Sequence, residues 1–210
     1  MASTIYIYYS SFVDLDLFDA PLSFAKRRPL KPLALKSIFS ISDQTAKRKV
    51  VLIEGVAGSG KSTLCWYACR EWAASRLFED FKLLIRVSLS DNDIRYAMEL
   101  ADLISYPNKE MRYAVAKAIA EEGGRGTCFI LDSYDEVTHL SKDSFLFRFI
   151  TGSEGKSFLN STNIILTSRP GISLDLCAHI TGNGVIKRFK LISPCPQTVL
   201  KEISWLKHWK

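Results

Sequence analysis

The sequence predicts an α/β fold in which a mostly parallel sheet is covered by helices on both faces. Short, almost continuously apolar segments alternate with segments of helical periodicity, which is typical of strands buried on both sides. A glycine-rich octapeptide, G-V-A-G-S-G-K-S at 55–62, stands between the first such strand and the first helix. Ligands of such sheets bind beyond the carboxyl ends of the strands. Polar candidates for a site follow other strands, so we expect one edge of the sheet to carry the site.

The octapeptide matches G-x-x-x-x-G-K-[ST], a phosphate-binding loop. Its glycines let backbone N–H groups turn inward around a phosphate, and the following helix directs its positive dipole end at the same anion. A strand at about 50–54 and a helix at about 61–74 supply the required order. We expect Lys61 to contact the β- and γ-phosphates and the Ser62 hydroxyl to bind Mg²⁺. The predicted nucleotide-binding residues are Gly55, Val56, Ala57, Gly58, Ser59, Gly60, Lys61, Ser62 and Thr63.

Turn and proline signals divide the rest of the chain. Tyr106-Pro107 separates two helical segments, because proline restricts the residue before it and ends a helix. The glycine-rich segment 122–126 predicts a turn. The remaining strands are expected at 81–89, 127–131, 163–167 and 184–191, and the remaining helices at about 93–104, 108–121, 142–150 and from 196 onward.

Three acidic residues follow the apolar strand at 127–131. Asp132 ends that strand in the Walker B pattern, so Ser62 and Asp132 are the predicted metal ligands. Hydrolysis of a γ-phosphate also needs a group that orients water, and Asp135 or Glu136 is the predicted catalytic carboxylate. The alternative is that these two acids cap the start of the next helix.

The strand at 163–167 ends in Thr167-Ser168-Arg169-Pro170. A guanidinium at this position can reach a γ-phosphate, so Arg169 is the third predicted catalytic residue. The alternative is an incidental arginine in a surface turn. The sequence after the loop contains no N-K-x-D tetrapeptide, by which Ras-type GTPases read guanine, and this favours ATP.

The net charge of +6 is concentrated in one short stretch. Residues 26–49 carry eight Lys or Arg and one Asp, whereas residues 50–210 carry 20 basic and 18 acidic residues. We interpret the stretch as a solvated linker rather than a nucleic-acid or acidic-lipid arm. The expected organisation is a weakly ordered head and linker at 1–48, a nucleotide-binding domain at 49–195, and the start of a helical extension at 196–210.

Cysteine usage and hydropathy indicate the compartment. The five cysteines contain no C-x-x-C pair, which favours buried thiols in a reducing setting. No apolar run is long enough to span a bilayer, and the apolar start lacks the basic segment of a secretory signal. We therefore expect a cytoplasmic protein.

Four segments together resemble the NACHT domain, the STAND-class NTPase module of NOD-like receptors. They are the Walker A box extended by Thr63-Leu64, the pair Glu71-Trp72, D-S-Y-D-E at 132–136 and T-S-R-P-G at 167–171. In this family a small residue and then two acids follow the Walker B aspartate, and an arginine in T-S-R-P forms sensor 1. The resemblance covers about residues 49–195.

The resemblance implies a P-loop NTPase three-layer sandwich with a five-stranded, mostly parallel sheet in the order 5-1-4-3-2. It also implies binding of ATP or ADP with Mg²⁺, slow ATP hydrolysis, and an innate-immune-like signalling switch that oligomerises with NACHT-type chains. Family members continue into a small helical domain and a winged helix, so the chain resembles a core truncated after the nucleotide-binding part. The alternatives are a non-hydrolysing nucleotide-binding interaction module, an inert receptor fragment and, less favoured, a small-molecule kinase.

Overall fold

The computed structural model describes residues 16–19, 48–137, 139–153, 159–171, 174–180 and 184–192. Its strands are β1 (Asp16–Asp19), β2 (Arg48–Glu54), β3 (Leu83–Ser88), β4 (Thr127–Asp132), β5 (Asn163–Ser168) and β6 (Gly184–Ile192). Its α-helices are α1 (Lys61–Ala73), α2 (Lys109–Glu121), α3 (Phe145–Thr151) and α4 (Leu174–His179). Short 3-10 turns lie at Ile94–Tyr96, Leu100–Leu103 and Tyr134–Glu136.

The strands form one sheet in the order β1-β6-β2-β5-β4-β3. All neighbours from β6 to β3 are parallel, which confirms the predicted α/β class and the predicted order of the five parallel strands. The predicted count of five strands is wrong, because β1 adds a sixth, antiparallel to β6, with Asp16 opposite Ile192. The four residues read D-L-F-D, which lacks the alternation of a half-buried strand, so no local pattern indicates this edge strand.

The sheet separates two apolar layers. Val51 and Ile53 of β2 point to the face covered by α1, where they meet Leu64. Val50 and Leu52 point to the other face, which α3 covers. Because both faces are buried, every residue of β2 and β4 is buried, and this explains their continuous apolar runs.

The start of β2 lies inside the stretch that the sequence assigns to a basic linker. Arg48 is buried and donates through Nη2 to the carbonyl oxygens of Phe149 and Ile150, near the end of α3, the latter at 3.1 Å. Burial lowers the pKa of Arg48 to about 10. The linker interpretation is therefore wrong for Arg48 and Lys49, which belong to the folded core, while residues 26–47 lie outside the described residues.

Helix α1 ends where its Glu71-Trp72 pair joins the following loop. The buried Glu71 carboxylate accepts two hydrogen bonds from Arg76, at 2.7 and 2.5 Å. The Trp72 indole N–H donates to the Phe81 carbonyl oxygen at 2.9 Å. These contacts fix the return of the chain from α1 into β3.

The segment 93–104 differs from its predicted helix. It forms two 3-10 turns separated at Ala97, whose ψ of 129° is extended. Glu99 and Asp102 form a capping box that starts the second turn anew. Helix α4 was not predicted, and the helix predicted from 196 lies outside the described residues. In the part of the chain that the structure describes, no helix has the length and apolar character to cross a membrane.

Candidate functional site

The loop between β2 and α1 depends on glycine at its two ends. At Gly55, an added Cβ would clash with the Ser59 hydroxyl and lie 3.0 Å from the Leu191 carbonyl oxygen. Gly60 precedes α1 with a φ of 92°, which side chains strongly disfavour. The Gly55 N–H also donates to the Ser168 carbonyl oxygen at 3.1 Å. The loop is thus held against β5 and β6, and the Ser59 N–H closes a turn within it by donating to the Val56 carbonyl oxygen at 3.1 Å.

Lys61 folds back over this loop from the first turn of α1. Its Nζ donates to the carbonyl oxygens of Gly55 at 2.7 Å and Val56 at 3.0 Å. Burial lowers the pKa of Lys61, the charge of Asp135 opposes this shift, and Arg169 adds to it. Both of these hydrogen-bond acceptors are neutral carbonyl groups, so they do not cancel the positive charge of the ammonium, which can attract an anion bound in the loop.

A cavity of about 350 Å³ opens in front of the loop and the N-terminus of α1. This volume lies in the usual range for small-ligand sites. Three segments close it: the loop with the start of α1, the turn after β4, and the residue after β5. The lining residues are Ala57, Gly58, Ser59, Gly60, Lys61, Ser62, Thr63, Ser133, Asp135, Glu136 and Arg169. The predicted residues Gly55, Val56 and Asp132 do not line it.

Arg169 and Asp135 form an ion pair at the cavity wall. Arg169 Nε lies 2.7 Å from Asp135 Oδ2, and the Arg169 backbone N–H donates to Asp135 Oδ1 at 3.2 Å. The Asp135 side chain is 7% exposed, whereas that of Arg169 is 58% exposed. Within the described residues, Glu136 makes no such contact and is exposed. Of the two candidate carboxylates, Glu136 is therefore the one that is free to meet a water molecule.

The Asp132 carboxylate is buried behind the cavity wall and already engaged at both oxygens. Arg86 Nη2 lies 2.7 Å from Oδ2, and the Thr167 hydroxyl donates to Oδ1 at 2.7 Å. Thr167 in turn accepts a hydrogen bond from the Ser133 backbone N–H at 2.9 Å. Burial, followed by the charge of Asp132, raises the pKa of the neighbouring Cys65 thiol. Asp132 thus lies in a closed network that ties the ends of β3, β4 and β5 together.

This arrangement does not fit a metal ion held between Ser62 and Asp132. Ser62 lies on the cavity wall, but Asp132 does not, and its oxygens face Arg86 and Thr167. The metal role of Asp132 stays a prediction that its contacts do not favour.

Sequence reasoning missed Arg86, and it missed that Thr167 is buried and donates to Asp132. The signal for Arg86 was a basic residue inside the apolar segment F-K-L-L-I-R-V-S-L. In the sheet, Ser88 lies opposite Asp132, so Arg86 is one same-face position away on the neighbouring strand. Only the register of β3 and β4 reveals this pairing.

The fold and the candidate site together define an α/β domain with a loop of the phosphate-binding type at one edge of its sheet. The chain belongs to the NACHT domain family, whose model matches residues 49–189. Family membership implies a nucleotide site served by a divalent metal. The match begins at β2 and ends in β6, so it contains the loop, the turn after β4 and Arg169.

Curated relatives carry the same domain in much longer chains. One relative is the NACHT, LRR and PYD domains-containing protein 3 of Rattus norvegicus. It is 25% identical over 171 residues, which cover 73% of this chain and 16% of the relative. Protein 1a allele 5, also from Rattus norvegicus, is 29% identical over 140 residues, covering 60% and 11%. The chain therefore spans less than a fifth of the length of these relatives.

A solved structure, the cytoplasmic domain of EssC, aligns with 89% of this chain and 37% of its own. The sequence identity is 14% and the TM-score is 0.36. A TM-score this low does not establish a common fold. The fold class rests on the strand order and on the family match.

Proposed function

We propose that this chain binds ADP or ATP in the loop cavity and acts as a nucleotide-dependent switch. The supporting observation is the meeting of Lys61 and the loop with Asp135, Glu136 and Arg169 around one space of about 350 Å³. Backbone N–H groups at a helix N-terminus favour a polyphosphate, and a lysine adds a compact positive charge. The base of the nucleotide is assigned as adenine because the guanine-reading tetrapeptide is absent from the sequence.

The difference between ADP and ATP would be read at the Arg169–Asp135 ion pair. A third phosphate brings negative charge to the same wall and competes with Asp135 for the Arg169 guanidinium. Releasing Asp135 would move the turn after β4, which also carries Glu136. Glu136 would then orient a water molecule for slow hydrolysis.

The wider role rests on family analogy. The curated relatives are named for NACHT, LRR and PYD domains, and NOD-like receptors use the NACHT domain in innate-immune signalling. By that analogy this chain works in the cytoplasm and oligomerises with itself or with other NACHT-type chains when ATP replaces ADP. Nucleic-acid binding is not expected, because the charge of residues 50–210 is nearly balanced, with 20 basic and 18 acidic residues.

A second candidate function is a nucleotide-binding interaction module without turnover. Two observations favour it: the carboxylates of Asp132 and Asp135 are each held by an arginine, at 2.7 Å. Neither is then free to bind a metal or to activate water. An ATPase assay separates the two functions. If the wild type releases phosphate from ATP and Lys61→Ala does not, the chain is a hydrolysing switch and not this module.

Nucleotide identity and affinity test the proposal directly. Denaturing the purified protein and chromatographing the supernatant should release ADP or ATP. Calorimetry of nucleotide-depleted protein should show binding that Lys61→Ala weakens at least about tenfold, since one charge contact to a phosphate is lost. Lys82→Ala is the matched control, because Lys82 is 76% exposed and pairs with Glu122 away from the cavity. No heat with millimolar ADP or ATP would refute the proposed function.

A further inference from the structure

We propose that Arg86 supplies the counter-charge for Asp132 that a divalent cation would otherwise provide, so that nucleotide binding by this chain depends little on Mg²⁺. The inference rests on the proposed nucleotide site and concerns its metal dependence. It is carried by the contacts of Asp132, Arg86 and Trp66.

The Arg86–Asp132 ion pair is short and shielded from water. Nη2 and Oδ2 are 2.7 Å apart, and the side chains are 19% and 3% exposed. Removing either partner would leave a charge in a poorly solvated place, which is costly. The pair is therefore a stable part of the folded domain. It is not an occasional surface contact.

The Trp66 ring also contacts the guanidinium of Arg86. The Arg86 carbon Cζ lies 4.4 Å from the centre of the indole ring, a cation–π geometry. Trp66 lies on α1, one turn after Ser62, so the arginine is clamped between the helix that carries the phosphate loop and the strand end that carries Asp132. Arginine keeps its charge at all physiological pH values, so this neutralisation is permanent.

The charges around the cavity lead to the same conclusion. Asp132 is paired with Arg86 and Asp135 with Arg169. Among the described residues, the exposed Glu136 is the carboxylate on the cavity wall that has no arginine partner, and the charge of Lys61 on the same wall offsets it. A bound polyphosphate still meets the loop N–H groups, the dipole of α1 and Lys61. The chain can therefore balance the nucleotide's charge with its own groups.

The test compares ADP affinity with Mg²⁺ and with EDTA, by calorimetry on nucleotide-depleted protein. The wild type should show dissociation constants that differ by less than about threefold between the two buffers, since Asp132 offers the metal no charge. Arg86→Gln frees the Asp132 carboxylate and should raise the ratio to at least about tenfold. Arg95→Gln, an exposed arginine in the 3-10 turn after β3, should behave as the wild type.

Asp132→Asn keeps the test decisive if Arg86→Gln does not fold. The amide is isosteric, retains an acceptor for Thr167, and should bind ADP with Mg²⁺ as tightly as the wild type. A loss of at least about tenfold in Mg²⁺ but not in EDTA would show that Asp132 serves the metal, and would overturn the inference. A wild-type ratio above about tenfold would also overturn it while leaving nucleotide binding intact. Absence of ADP binding in both buffers would remove the proposed function itself.

Discussion

Ser133 adopts a backbone conformation that most residues avoid. Its φ of 70° and ψ of 52° lie in the left-handed region. This turn directs the Ser133 N–H onto Thr167 and carries Asp135 to the cavity wall, where it meets Arg169. The family resemblance places a small residue after the Walker B aspartate. The left-handed backbone conformation at this position explains why a small residue is favoured there.

Replacing Ser133 with a β-branched residue tests this reason. Ser133→Val should lower the free energy of unfolding by about 1–2 kcal/mol, because a left-handed conformation is costly for a branched side chain. Ser133→Gly, the matched control, should leave stability unchanged or raise it, since glycine adopts this conformation freely. Urea unfolding followed by circular dichroism measures both. Equal destabilisation by Val and Gly would show that the hydroxyl, and not the backbone, matters.

The sequence predicted which residues meet at the candidate site but not how they pair with one another. Ala57–Thr63, Asp135, Glu136 and Arg169 meet around one cavity, as their positions at strand ends indicate. The engagement of Asp132 could not be predicted, because Arg86 is 46 residues away in sequence and its approach depends on the register of β3 and β4. Motif spacing describes a residue's place on the chain and says nothing of a partner on a neighbouring strand.

Among the elements, α1 depends on an ion pair at its C-terminal end. The hydrogen bonds from Arg76 hold the pKa of Glu71 below its ordinary value of 4.5, burial opposes this shift, and the charges of Arg76 and Arg70 support it. A carboxyl group with a lowered pKa contributes stability above its unfolded pKa, and this contribution disappears as the pH falls through the folded value.

Glu71→Gln should therefore destabilise the protein in a pH-dependent way. We expect a loss of about 1 kcal/mol at neutral pH, because a hydrogen-bonded charge pair is removed. The difference from the wild type should shrink as the pH falls below 4.5. Chemical unfolding at several pH values measures it. Glu121→Gln is the control, since Glu121 of α2 is exposed and its ion pair with Lys117 is long, with 3.9 Å between Oε1 and Nζ. A constant difference at every pH would contradict the assignment.

Elements with strong local signals were predicted more reliably than elements that depend on distant contacts. Helices α1, α2 and α3 begin within three residues of their predicted starts, because periodicity and turn residues define them locally. The segment 93–104 forms 3-10 turns and not the predicted helix, because a capping box at Glu99 starts a new turn, in which Leu100 and Leu103 are buried. Strand β1 exists through its pairing with β6, which no local pattern encodes.

At the scale of the whole molecule, helix α1 and helix α3 cover opposite faces of the sheet. Helix α1 and the phosphate loop belong to one face, and Leu146 of α3 is fully buried on the other. Leu146→Ala should lower the free energy of unfolding by about 2–5 kcal/mol through lost burial and a cavity. It should leave the dissociation constant for ADP unchanged at a temperature where the variant is folded. A change of more than about tenfold in that constant would show that the two faces are coupled.

The two edges of the sheet are not alike. On one side β1 runs antiparallel along β6, and on the other β3 pairs with β4 alone among the strands that the structure describes. An unpaired edge is a template for backbone hydrogen bonding with another chain. Both outer strands, β1 and β3, have one side without a strand partner among the described residues. β3 has six residues and β1 has four, so β3 offers the longer row of backbone groups to an added strand.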